Sequence, residues 1–128
     1  MKITILALAG ALSLIAAQAN AADAKSEIVN AQTHAGLAAK ATAIDGVHMH
    51  LHHALNCLVW PNGTGFDAKQ MNPCANSGNG AIPDTADAAK KKSLEAAAAK
   101  AASGIAATDL AAAQKDATET EAMLKAVE

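Results

Sequence analysis

The sequence predicts an all-α protein. Three observations carry that expectation: two long alanine-rich stretches, apolar side chains that recur at helical spacing, and turn-forming residues gathered into one segment between them. The expected architecture is an antiparallel hairpin of two long alanine-rich helices joined by a disulfide-stapled loop. A compact four-helix bundle is the alternative.

Met1-Lys2 precedes an apolar run from Ile3 to Ala17, which ends in the overlapping small-residue patterns Ala17-Gln18-Ala19 and Ala19-Asn20-Ala21. That order is expected of a secretory signal peptide over residues 1–21, cut after Ala19 or Ala21. The run is short for a membrane span. Residues 22–128 then form a single helical domain, expected in a periplasm or outside the cell, with no membrane attachment after cleavage. Without the first 21 residues, nine lysines face twelve acids, and arginine is absent throughout. A nucleic-acid partner is not expected of such a balance.

The first helical stretch runs from about Ala24 to Val59. Ser26 is its expected N-cap, with Asp23 and Glu27 near the positive helix end. Ile28, Ala31, Ala35 and Ala38 share one face. Ile44, Val47, Leu51, Leu55 and Leu58 make a second stripe out of phase with the first, and Lys40 would fall within it. Asp45-Gly46 is the expected place of a kink or break. A two-residue turn is tight for a full reversal, which favours the long hairpin, kinked and able to pair as a homodimer. Pro61 and Asn62-Gly63 end the stretch. The second stretch starts after Pro83, with Asp84 or Thr85 as cap, and runs toward Val127. Ser103-Gly104 interrupts it, and Thr108-Asp109 can cap a fresh helix.

The segment from Trp60 to Pro83 holds all three prolines, four of the eight glycines and both large aromatics, Trp60 and Phe66. Cys57 and Cys74 are the only cysteines. In an oxidising compartment they are expected to pair and to close the 57–83 loop, which the chain-entropy model values at about 3 kcal/mol. Large apolar side chains are scarce elsewhere, so the core is thin and such a staple matters.

The chemistry concentrates in "HMHLHHALNC", His48 to Cys57, which carries four of the five histidines. On a helix His48 and His52 share a face at i, i+4 and can point ring nitrogens at one ion. They are the first expected ligands of a transition metal. His50, His53 and Met49 follow, on a face expected to meet water or the loop. Neither pair completes a site, so Asp67, Met71 or His34 are further candidate ligands. His34 lies about 21 Å from His48 along one continuous helix and could not join. If the chain instead reverses near Asp45-Gly46, His34 returns beside His53. Imidazole suits copper, zinc and nickel, and the methionines tilt the choice toward copper. Haem between axial histidines is the alternative cofactor, without covalent attachment because C-x-x-C-H is absent.

A solvated helix face is the plainest rival explanation of the histidine run. An interaction module working through the Trp60–Phe66 loop is another. No enzymatic constellation stands out: Ser93 and Ser103 lack triad partners, Glu119 and Glu121 lie on different faces, and the glycine-rich turns lack the strand and lysine of a phosphate loop. The expected role is therefore metal sequestration or delivery, not catalysis.

Overall fold

A computed structural model describes residues 22–128; the expected signal peptide lies outside the described residues. Among them are five helices: α1 (Ala24–Lys40), α2 (Ile44–Leu58), the short α3 (Ala81–Asp84), α4 (Ala88–Ala106) and α5 (Leu110–Lys125). The class is all-α, as the sequence predicts. The long-hairpin arrangement is corrected to the alternative one. The chain reverses twice more than a hairpin allows, and α1 packs on α2 and α5 while α4 packs on α5 and α2. The result is a four-helix bundle.

The first reversal lies at Ala41-Thr42-Ala43, just before Asp45-Gly46. Ala41 and Ala43 are extended, and Asp45 and Gly46 sit in the first turn of α2, where an acid is favoured by the helix dipole. The physical cause is the phase shift between the two apolar stripes. Ile28, Ala31, Ala35 and Ala38 are fully buried, as are Val47, Leu51 and Leu58. Both faces enter one core only if α2 folds back on α1. The second break behaves alike. Ser103 and Gly104 stay helical, the turn is Ala107-Thr108-Asp109, and Asp109 caps α5 by accepting the Ala112 N–H at 2.9 Å.

The two hairpins match position for position. Ala41-Thr42-Ala43-Ile44 corresponds to Ala107-Thr108-Asp109-Leu110, and Ala41 and Ala107 adopt nearly the same backbone angles (φ −66°, ψ 136° and φ −66°, ψ 137°). Buried Ile28, Ala31, Ala35 and Leu58 correspond at that same offset to buried Leu94, Ala97, Ala101 and Leu124. Small residues bring the helices close. A Cβ on Gly104 would stand 2.6 Å from Leu51 Cδ1 and 3.1 Å from Asp116 Cβ, so a larger residue there would force the Leu51 side chain to shift.

Two expected caps move. Asp23 caps α1, its Oδ1 accepting the Ser26 N–H at 3.0 Å, so Ser26 supplies the donor and not the cap. Asp87 caps α4, accepting the Lys90 N–H at 2.7 Å, because Asp84 is taken up in closing α3. The Cys57–Cys74 disulfide is present and lies in the larger of two core clusters, with Ile28, Leu58, Ile82 and Leu94. Phe66 packs against that cluster, whereas Trp60 remains 48% exposed. Asn56 ties the loop down from within: its Nδ2 donates to Asp67 O and its Oδ1 accepts the Asp67 N–H, both at 2.9 Å. A buried side-chain amide thus replaces a backbone pairing that the irregular loop cannot make for itself.

Candidate metal centre

Reversal at Ala41–Ala43 lays α1 across the face of α2 that carries His50 and His53. His34 of α1 meets them there. One ring nitrogen from each of His34, His50 and His53 lies within 4.8 Å of the other two. The ring centroids are 5.1 to 5.7 Å apart; His53 stands edge-on to both His34 and His50. His53 is 5% exposed, and its Nδ1 has no hydrogen-bond partner among the described residues. His34 and His50 are half-buried.

The closest pair is His34 Nδ1 and His50 Nδ1, at 3.4 Å. That is beyond the separation of about 2.7–3.2 Å usual for an N–H donor and its acceptor. It is the spacing of two tetrahedral donors on one metal, since bonds of about 2.0–2.1 Å put them about 3.3–3.4 Å apart. The charge state agrees with such use. Burial, then the neighbouring His53 and His50, hold the His34 imidazole below its ordinary pKa. Burial, then His50 and His52, do the same to His53. Neutral imidazole is the form that ligates. The three residues could therefore hold a metal ion, with a small closing movement of the third ring.

The remaining candidates occupy other places. His48 turns to the end of α4, where its Nε2–H donates to Ala107 O at 2.9 Å. Gln114, its counterpart in the second hairpin, donates through Nε2 to Ala41 O at 2.8 Å. Each hairpin thus caps the other's turn, which satisfies a helix-terminal carbonyl. His52 stands 3.8 Å from Asp67 Oδ2, away from the triad. Met49 and Met71 are exposed, at 40% and 59%. The face expected to meet water is the one that meets α1, which is why His50 and His53 join His34. No family model matches the chain, and neither the curated proteins nor the solved structures searched contain a match.

Proposed function

We propose that this chain is an exported copper-binding protein that sequesters or delivers the ion through His34, His50 and His53. The single observation behind this reading is the convergence of three imidazoles, each offering a ring nitrogen within 4.8 Å of the other two. Copper is the preferred ion because nitrogen donors bind Cu²⁺ more tightly than other divalent first-row metals. An intrachain disulfide is compatible with an oxidising compartment. Three protein ligands leave at least one position for water or for a ligand of a receiving protein, which suits transfer. A porphyrin would have to part α1 from α2, which pack directly on one another; a bare ion needs no such opening.

Calorimetric titration with Cu²⁺ tests this. One ion per chain is expected, and His53→Ala should weaken binding about 100-fold or more, since even residues behind a ligand cost 10–100-fold. Unchanged affinity in that variant, or no binding by the parent, overturns the reading. Haem titration should leave the Soret band of free haem unshifted and unsharpened. A second reading rests on Trp60, half-exposed on the stapled loop, as a contact for a protein partner; it requires loss of partner capture in Trp60→Ala with copper affinity intact.

A further inference from the structure

Glu27, in the first turn of α1, is completely buried. Its Oε1 accepts the Gly80 N–H at 2.8 Å, and its Oε2 has no hydrogen-bond partner among the described residues. Two further acids face it. Asp84 on α3 lies beside it, already accepting from Asn79 N (2.6 Å) and Asn79 Nδ2 (3.1 Å), and Asp23 caps the same helix. Burial above all, and then the charge of Asp84, a hydrogen bond shared with the Asp84 side chain and the charge of Asp23, lift the Glu27 pKa to about 7, against the opposing Gly80 N–H. No lysine forms an ion pair with any of the three among the described residues. A buried carboxylate is ordinarily paired with a cation. Among the described residues this one has no such partner.

The chain backbone passes through the same place. A Cβ built on Gly78 would lie 3.3 Å from Ala22 Cα and 2.9 Å from Glu27 Oε1, with Asp84 Oδ2 closer still. Ala22 Cα and one oxygen of each carboxylate therefore lie within 3.3 Å of one point, at the exposed start of the described chain. The segment is tied there by the Asp23 N–H, which donates to Ser77 O at 2.9 Å. Ala22 also directly follows Ala19-Asn20-Ala21, one of the two small-residue patterns a signal peptidase accepts.

We infer that processing occurs after Ala21, and that the new α-ammonium of Ala22 is the counter-ion of the Glu27–Asp84 pair. Hydrolysis of the Ala21–Ala22 peptide bond consumes one water, leaving a carboxylate on Ala21 and an ammonium on Ala22. Cutting after Ala19 would place the charge two residues farther along the chain. The bundle would thus register its own maturation: an amide nitrogen in the precursor cannot carry the charge that the buried acids lack. This rests on the export part of the reading above and is independent of the metal.

The full chain, expressed with its leader and exported, supplies the material. Amino-terminal sequencing and intact mass should place the first residue at Ala22. Labelling of that α-amine at pH 7, localised by tandem mass spectrometry, should run at least tenfold slower than in a free peptide of the same amino-terminal sequence. A tenfold slowing corresponds to a pKa raised by about one unit from the usual value near 7.7–8.0. Glu27→Gln should restore most of the peptide rate, and Asp84→Asn serves if that variant does not fold. A product starting at Asn20, no processing, labelling at the peptide rate, or slow labelling that neither variant relieves would each overturn the inference.

Discussion

The two helical hairpins place different chemistry at corresponding positions. At the offset that matches Ala41 with Ala107, His34, His50 and His53 correspond to Lys100, Asp116 and Glu119. In the α4–α5 hairpin those residues form a closed ion-pair cluster, with Lys100 Nζ 2.9 Å from Glu119 Oε2 and 3.4 Å from Asp116 Oδ1. In the α1–α2 hairpin the same three positions hold imidazoles with no opposite charge among them. The sites differ in wetness at one position: His53 is buried, whereas Glu119 is only half-buried. The scaffold is therefore satisfied by a lysine and two acids at this crossing and makes no demand for histidine. One hairpin joins its polar cluster through charge, with one lysine between two acids. The other brings together three ring nitrogens that an ion could engage.

Exchanging the clusters tests this most severely. The triple variant His34→Lys, His50→Asp, His53→Glu should keep its helical circular dichroism and lose Cu²⁺ affinity by at least about 100-fold. The reciprocal variant, Lys100→His, Asp116→His, Glu119→His, should raise the calorimetric stoichiometry from one copper to two. A triple variant that still binds one copper would show that the ion sits elsewhere, and the contrast between the hairpins would lose its meaning.

The hairpins differ next in covalent support. Only the first carries a disulfide, closing a separation of 17 residues. Replacing both cysteines (Cys57→Ser, Cys74→Ser) should lower stability by about 3 kcal/mol, read as the shift of the urea midpoint at unchanged slope. Copper affinity should stay within about threefold, on the order of 0.7 kcal/mol, because α1–α2 packing, not the loop, brings His34 to His50 and His53. A tenfold loss would show that the staple also positions the triad.

Acid should separate the clusters by sign. The pKa values of His34 and His53 lie below the ordinary 6.5 in the fold. Their neutral forms thus favour the native state: that contribution is whole above about pH 6.5 and is lost as pH falls through the lowered values. Lys100 behaves in the opposite sense. Its hydrogen bond to Glu119, then the charges of Glu119 and Asp116, raise its pKa, so its contribution is present below its ordinary value and is lost only in strong alkali. Glu27, its pKa raised to about 7, adds stability as pH falls over the same range. The histidine contribution is therefore read on a Glu27→Gln background, where the melting temperature of the metal-free protein should fall between pH 7 and pH 5. The fall should shrink in the His→Lys/Asp/Glu triple variant on the same background. An equal fall in both would assign the acid sensitivity to another group.

Local features of this fold were legible because they depend on neighbours in sequence. The buried stripes of α1 and α2, the Asp109 cap and the Cys57–Cys74 pairing all follow from spacing, capping chemistry and cysteine number. The first reversal was harder to place. Ala41-Thr42-Ala43 contains neither glycine nor proline, and alanine is a helix former, so the stronger local signal at Asp45-Gly46 drew the expected break forward by a few residues. Tertiary burial of two out-of-phase stripes outweighed propensity there. The site inherits the same difficulty. Spacing identifies His48 with His52 and His50 with His53, but which pair meets α1 depends on where the chain turns. The match between Ala41-Thr42 and Ala107-Thr108 was the available clue, since it aligns the histidines with a lysine and two acids.

The smallest expected effect concerns the two reciprocal caps. His48 and Gln114 occupy corresponding positions and each donates to the terminal carbonyl of the other hairpin, at 2.9 and 2.8 Å. A neutral hydrogen bond of this kind contributes about 1 kcal/mol net. His48→Ala and Gln114→Ala should each destabilise the bundle by about that amount, measured by chemical denaturation. Neither should alter copper affinity, because each caps a turn and does not face the triad. His48→Gln should recover most of the loss, since an amide N–H already serves this purpose in the other hairpin. That rescue distinguishes a cap from a ligand: glutamine can donate to Ala107 O, but it is a poor substitute for imidazole on copper. If His48→Gln held its fold yet lost the metal, His48 would have to turn from Ala107 to the ion, and the equivalence of His48 with Gln114 would be only positional.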